Sequence, residues 1–244
     1  MPRPSPLLRF GLLAALAVAL GACSGARPSA DRDELVVLVH GMGRTTISMA
    51  PLEVALRRSG YRVLNVGYNS QRPGVAEIGQ QLADAVRAET EREPARRVHV
   101  VGHSLGTVAT RWMLTHDPPA TPGRIVMLAP PNRGSRSADR WARWIGWSLP
   151  PIRELRTTGG PAVELGVPEG VEVAVIAGDR DGKVRVEETC LDGAEHVVVP
   201  SRHTFIMMRP RVVGLVWAFL ATGELPGATD AACADVLSPD PLAG

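Results

Sequence analysis

Six short apolar runs, bounded by turn residues and mostly separated by stretches of helical periodicity, constrain this chain more than any other feature. They are "ELVVLVHG" (34–41), "YRVLNVGY" (61–68), "RRVHVVG" (96–102), "GRIVMLAP" (123–130), "VEVAVIAG" (171–178) and "EHVVVP" (195–200). All are valine- or isoleucine-rich and too short for buried helices, so they read as strands. Helical patterns cover "ISMAPLEVALRRSG" (47–60) and "GVAEIGQQLADAVRAETE" (74–91), a segment starting near Leu105, and "RPRVVGLVWAFLATG" (209–223). Strands that are apolar on both faces and alternate with helices belong in a parallel sheet covered on both sides. The expectation is one α/β domain over residues 34–225, with about six mainly parallel strands and a short, partly helical insert at 131–170. A C-terminal tail follows at 226–244. A length of 244 residues with 45% hydrophobic content supports one continuous core rather than two.

In such sheets ligands bind beyond the carboxyl ends of the strands, so the polar residues there carry the functional question. After the third run stands Gly102-His103-Ser104-Leu105-Gly106, a G-x-S-x-G pattern between strand and helix. That context presents a serine oxygen at the start of a helix, where unpaired amides and the helix dipole favour negative charge. The bland alternative is an N-cap serine flanked by packing glycines. A serine alcohol needs a base, and the base an orienting acid. Of the six histidines, His203 in "PSRHTFIMM" is the one placed just past a strand's carboxyl end in the order Ser, acid, His. For the acid, "AGDRDGKV" offers Asp179 and Asp181, and an Asp- and Gly-rich turn is also ordinary loop chemistry. The amide of Leu105 is one donor for an oxyanion, and a second is expected from the loop "VLVHGMGRT" after the first strand. A phosphate-loop reading of "GMGRTT" is disfavoured, because the Gly-Lys-Ser/Thr ending is missing.

Taken together, HGMG (40–43), GHSLG (102–106), the DGKV turn (181–184) and "SRHTF" (201–205) resemble the bacterial lipase and esterase branch of the α/β-hydrolase superfamily. "APPNRGS" (129–135) is similar to the same group, and the likeness spans about residues 34–222. The resemblance implies a compact α/β-hydrolase fold and hydrolysis of a carboxylic ester through an acyl-serine intermediate, with no organic cofactor. It favours Asp181 over Asp179 as the carboxylate and puts the Met42 amide in the oxyanion hole beside Leu105. An acyltransferase or thioesterase with the same three residues, and a non-catalytic envelope binding protein that keeps the fold, are the alternatives. No N-terminal hairpin fits before Glu34 and the insert is short, so a large hinged lid is not expected.

Within the insert, Trp141, Trp144 and Trp147 recur at three-residue spacing among Arg136, Arg140 and Arg143. Aromatics so spaced are commonly packed. Their position also makes them candidates for a substrate-binding wall, and Trp with Arg suits a membrane interface.

A net charge of +2, with Lys183 the only lysine and no basic block, argues against a nucleic-acid partner. No H-E-x-x-H or paired Cys-His spacing points to a metal site. Residues 1–22 carry Arg3 and Arg9 ahead of an apolar run, as a secretory signal peptide does, and 23–33 form a polar tether. Leu20-Gly21-Ala22-Cys23 resembles a bacterial lipobox, which implies export to the cell envelope and membrane anchoring through lipidated Cys23. Ordinary cleavage after Ala22, releasing a free secreted protein, is the alternative. Cys190 and Cys233 then remain, to be bridged in an oxidising compartment or left as two thiols. A monomer acting on an ester or lipid substrate is expected.

Overall fold

A computed structural model describes residues 33–234 of the chain. The expected signal peptide (1–22), nearly all of the expected tether (23–33) with Cys23, and the last ten residues lie outside the described residues. Six parallel strands form one sheet: β1 (Glu34–Val39), β2 (Arg62–Val66), β3 (Arg97–His103), β4 (Pro122–Leu128), β5 (Val173–Gly178) and β6 (Glu195–Val199), in the order β2-β1-β3-β4-β5-β6. The registers on either side of β1 run in step, as in Val37 opposite Leu64 on one side and Val100 on the other, and the β3–β4 register shifts once, between Val98 and Val100.

Period-two alternation explains why each run is apolar throughout. In β1, Leu35, Val37 and Val39 face one core while Val36 and Leu38 face the other. The first core takes helix α2 (Val75–Arg92) through Val75, Ile78, Leu82 and Val86, and α3 (Leu105–His116) through Leu105, Val108 and Met113. The second takes α1 (Ala50–Arg58) through Leu52 and Leu56, and the final long helix, Pro210–Thr222, through Val212, Val216 and Phe219. The 47–60 segment begins later than its periodicity suggests. Thr46–Met49 is a 3₁₀ turn and the α-helix starts at Ala50, because Pro51 lacks an N–H and suits the first helical turn.

The insert folds as a short cap of three helices: α4 (Arg136–Ile145), α5 (Pro151–Glu154) and α6 (Pro161–Glu164). Ser135 caps α4 by accepting from the amides of Ser137 and Ala138, and its hydroxyl donates to the Lys183 carbonyl at 2.6 Å. The cap is fastened to the body at several other places. The Val75 amide at the start of α2 donates to Glu154 Oε2 at 2.5 Å, a carboxylate at the positive end of a helix. Arg111 on α3, almost wholly buried, donates to the carbonyls of Leu165 at 2.6 Å and Ala162 at 2.7 Å.

Cys190 and Cys233 are joined in a disulfide, Cα–Cα 5.6 Å, which with the bond from the Thr229 amide to His196 O ties the segment after the last helix, α7 (Pro210–Thr222), to β6. His196 beside this bridge bonds Thr189 Oγ1 at 2.8 Å. Among the described residues no helix is long and apolar enough to cross a membrane.

Candidate active site

The strand order reverses at β1: the chain goes to β2 on one side and returns to β3 on the other. That reversal opens a crevice at the carboxyl ends of β1 and β3. Ser104 stands there, between β3 and α3, with φ 52° and ψ −123°, a conformation costly for any residue with a Cβ. Bonds on both sides hold it. Its amide donates to Leu128 O at 3.0 Å and its carbonyl accepts from the Thr107 amide at 2.9 Å. The flanking glycines have steric reasons. A Cβ on Gly106 would lie 2.6 Å from His40 O and 2.7 Å from Val39 O, and one on Gly102 3.1 Å from the Thr107 backbone. The G-x-S-x-G pattern therefore records how closely the start of α3 approaches the end of β1.

Ser104 makes no side-chain cap bond to α3. Its Oγ instead lies 2.9 Å from His203 Nε2. His203 opens a 3₁₀ segment, His203–Met208, just past β6, and its Nδ1 is 2.6 Å from Asp181 Oδ2. Oδ1 of Asp181 accepts the amides of Lys183 at 2.8 Å and Val184 at 2.9 Å, so the carboxylate is fixed by its own turn. This network sets the tautomer: Nδ1–H donates to Asp181, leaving Nε2 free to accept the serine proton. Asp179 plays a different part, accepting the Ser201 amide at 3.0 Å and so anchoring the loop that carries His203.

Met42 and Leu105 follow β1 and Ser104 respectively. Around Met42 the amides of Gly43 and Arg44 are taken by Ser70 Oγ and Gly41 O, while those of Met42 and Leu105 have no acceptor among the described residues. Two unpaired amides near the nucleophile are what an oxyanion hole requires. The Met42 loop is steadied from β2. Tyr68 stacks on the His40 ring at 4.1 Å and donates its hydroxyl to the His40 carbonyl, and burial raises its pKa so that it stays a neutral donor.

Residues 36–190 match the sequence profile of the alpha/beta hydrolase family. The chain belongs to the alpha/beta hydrolase family. Solved members share the fold at low identity. The lipase BlEst2 of Bacillus licheniformis in its mature form aligns with a TM-score of 0.62 and 15% identity over 80% of this chain and 93% of that one. The esterase Pf2001 of Pyrococcus furiosus gives 0.58 and 21%, over 78% and 81%. A pyrethroid hydrolase of Sphingobium faniae gives 0.54 and 14%, over 78% and 98%. No curated protein matches the chain in sequence.

In this alpha/beta hydrolase the Ser104 hydroxyl opens into a cavity of about 340 Å³, within the range of small-molecule sites. Its apolar wall is supplied by the cap: Ala138, Trp141, Ile145, Leu149, Ile152 and Leu155. Of the three tryptophans, Trp141 alone lines this cavity. All three are exposed, at 55% for Trp141, 73% for Trp144 and 80% for Trp147, so the last two neither pack in the core nor reach the serine. Several lining residues carry no motif, and the cap residues among them show only the apolar spacing of a short helix. His103 is another residue without a sequence signal. It is buried, and its Nε2–H donates to the His203 carbonyl at 3.0 Å. Desolvation holds its pKa well below the ordinary value, with the charges of His203, Arg44 and Lys183 acting the same way, so it is a neutral donor.

Proposed function

We propose that this alpha/beta hydrolase cleaves carboxylic esters through an acyl-Ser104 intermediate. The observation that carries the reading is the continuous chain Ser104 Oγ, His203 Nε2, His203 Nδ1, Asp181 Oδ2, with links of 2.9 and 2.6 Å, at an apolar cavity. As Ser104 Oγ attacks the acyl carbonyl, its proton passes to His203 Nε2. The imidazolium so formed is stabilised by Asp181, which remains ionised. The Met42 and Leu105 amides hold the oxyanion of the tetrahedral intermediate. His203 then gives its proton to the departing alcohol. Water, deprotonated by the same nitrogen, attacks the acyl-enzyme, and the collapse of that second intermediate frees the carboxylic acid and returns the proton to Ser104. The likeness of the fold to a lipase and an esterase supports ester hydrolysis for this cavity.

A series of 4-nitrophenyl esters of rising acyl length tests the reading. Release of nitrophenol with saturable kinetics is expected, and Ser104→Ala should lower kcat by about 10⁴-fold or more. Undiminished turnover in that variant contradicts it.

The same proposal includes export to the cell envelope with Cys23 lipidated as a membrane anchor. The Cys190–Cys233 bridge supports export, because cytosolic thiols are kept reduced. Labelled palmitate incorporated by wild type and lost in Cys23→Ser is the expected result in the producing cells, and equal label in both contradicts the anchor.

A further inference from the structure

The ester-hydrolase reading leaves two side chains of the cavity unexplained. Arg44 follows the Met42 loop, and Lys183, the only lysine in the chain, follows Asp181. Both line the cavity that contains Ser104 and His203, and no aspartate or glutamate lines it with them. Asp181, the nearest acid in sequence, has Oδ2 on His203 and Oδ1 on two backbone amides.

Among the described residues neither cation forms an ion pair or a side-chain hydrogen bond; the Arg44 guanidinium lies 5.9 Å from the Phe205 ring centroid, a contact that leaves its N–H donors available. Acids near the mouth are committed. Glu188 accepts the Arg136 amide at 3.0 Å and the Arg185 amide at 2.8 Å, and Asp139 accepts from Thr157 and pairs with Arg156. Arg136, Arg140 and Arg185 share with Lys183 a groove beside the cavity; Asp139 and Glu188 line it too and Arg185 pairs with Glu187, so its four cations outnumber its two acids without forming an unbroken positive run.

An apolar wall on the cap side and unpaired cations at the reacting end sort a substrate into two halves. We propose that the preferred substrates are esters of an apolar acyl chain with an alcohol that carries a fixed negative charge, the chain against Ile145, Ile152 and Leu155 and the anion against Arg44 and Lys183. This assignment rests on the ester-hydrolase reading and adds the charge of the leaving group to it. A low-dielectric wall strengthens such an attraction, and salt weakens it.

The test compares two octanoate esters whose leaving phenols are of similar acidity, anionic 4-(octanoyloxy)benzenesulfonate and neutral 4-carbamoylphenyl octanoate. The readout is the ratio of their kcat/KM values, so a variant that folds less well slows both and leaves the ratio interpretable. In about 20 mM NaCl the anionic ester should be favoured about tenfold or more, and about 500 mM NaCl should remove most of that preference. The double variant Arg44→Gln, Lys183→Gln should bring the ratio near unity. A ratio at or below one in wild type, or an unchanged ratio in the double variant, overturns the proposal while leaving ester hydrolysis intact. Turnover of neither ester overturns both.

A lipid headgroup and a small soluble alcohol can each present the anion. Monomeric dioctanoyl phosphatidylglycerol against dioctanoylglycerol forms the second arm. Preference for the charged lipid as well as the sulfonate assigns the anion to a headgroup, and preference confined to the sulfonate assigns it to a soluble alcohol.

Discussion

His103 Nε2–H is bonded at 3.0 Å to the backbone carbonyl of His203, linking the turn that carries Ser104 to the turn that carries His203 across 100 positions of sequence. The two rings lie 5.0 Å apart, His103 also borders the cavity, and its hydrogen bond toward the reacting groups is the one to the His203 backbone. It is a positioning residue. Loss of the bond should let the His203 turn drift, and sub-ångström errors at a base are costly in rate. In His103→Leu, kcat on a nitrophenyl ester should fall about tenfold or more with KM nearly unchanged. His103→Gln, which keeps a side-chain N–H donor, should recover most of the loss. Equal defects in both variants, or a change confined to KM, contradict the assignment.

Arg111 holds the cap to the nucleophile helix through two carbonyls while its Nε has no partner, and burial lowers its pKa to about 10, which leaves it charged at neutral pH. Charged hydrogen bonds contribute about 1.5–3 kcal/mol each and a truncated side chain leaves a void. Arg111→Ala should destabilise the protein by about 3 kcal/mol or more in urea unfolding, and should loosen 161–165 in hydrogen exchange. Unchanged protection of that segment speaks against the clamp.

Acidification should weaken the fold through His99. Its Nδ1 accepts the Arg124 amide at 2.9 Å, so this buried ring must be neutral, and desolvation lowers its pKa to about 4 despite the nearby Glu34. The unfolded chain binds a proton near the ordinary value of about 6.5, and the folded chain does so only at lower pH. The stabilisation is therefore complete above about pH 6.5 and is lost as pH falls toward 4, with a slope of up to about 1.4 kcal/mol per pH unit. Urea midpoints across this window should decline in wild type and decline less steeply in His99→Gln. Parallel pH curves for the two proteins contradict the account.

Chain-length preference should follow the cap. Leu155 and Ile152 lie on the apolar wall, so Leu155→Trp should move the optimum of the ester series to shorter chains, and Trp141→Ala should lower kcat/KM for the longer ones. An identical length profile in both variants places the acyl chain elsewhere.

Much of the sheet and of the candidate site was legible from local pattern. Short valine-rich runs can hardly be anything but buried strands, and residues just past their carboxyl ends collect at one rim, which singled out Ser104 and His203. Asp181 over Asp179 needed the likeness to a known turn, since both occupy the same Asp-Gly loop and differ only in what faces them: His203 for one, the Ser201 amide for the other. The apolar cavity, the Arg111 clamp and the His103–His203 bond were hidden because each joins segments 51 or more positions apart, or depends on how the insert lies on the body. The even spacing of Trp141, Trp144 and Trp147 could not show that two of them point to solvent: α4 ends at Ile145, so Trp147 is beyond the helix that the spacing implies.

Covalent trapping tests the central claim most directly: a fluorophosphonate reacts far faster with a serine whose oxygen is activated by a base and whose oxyanion is held than with an ordinary hydroxyl. Peptide mass spectrometry of the treated protein should find one adduct, on Ser104, absent from Ser104→Ala and strongly slowed in His203→Ala. An adduct on another residue, or none in a folded protein, contradicts the account.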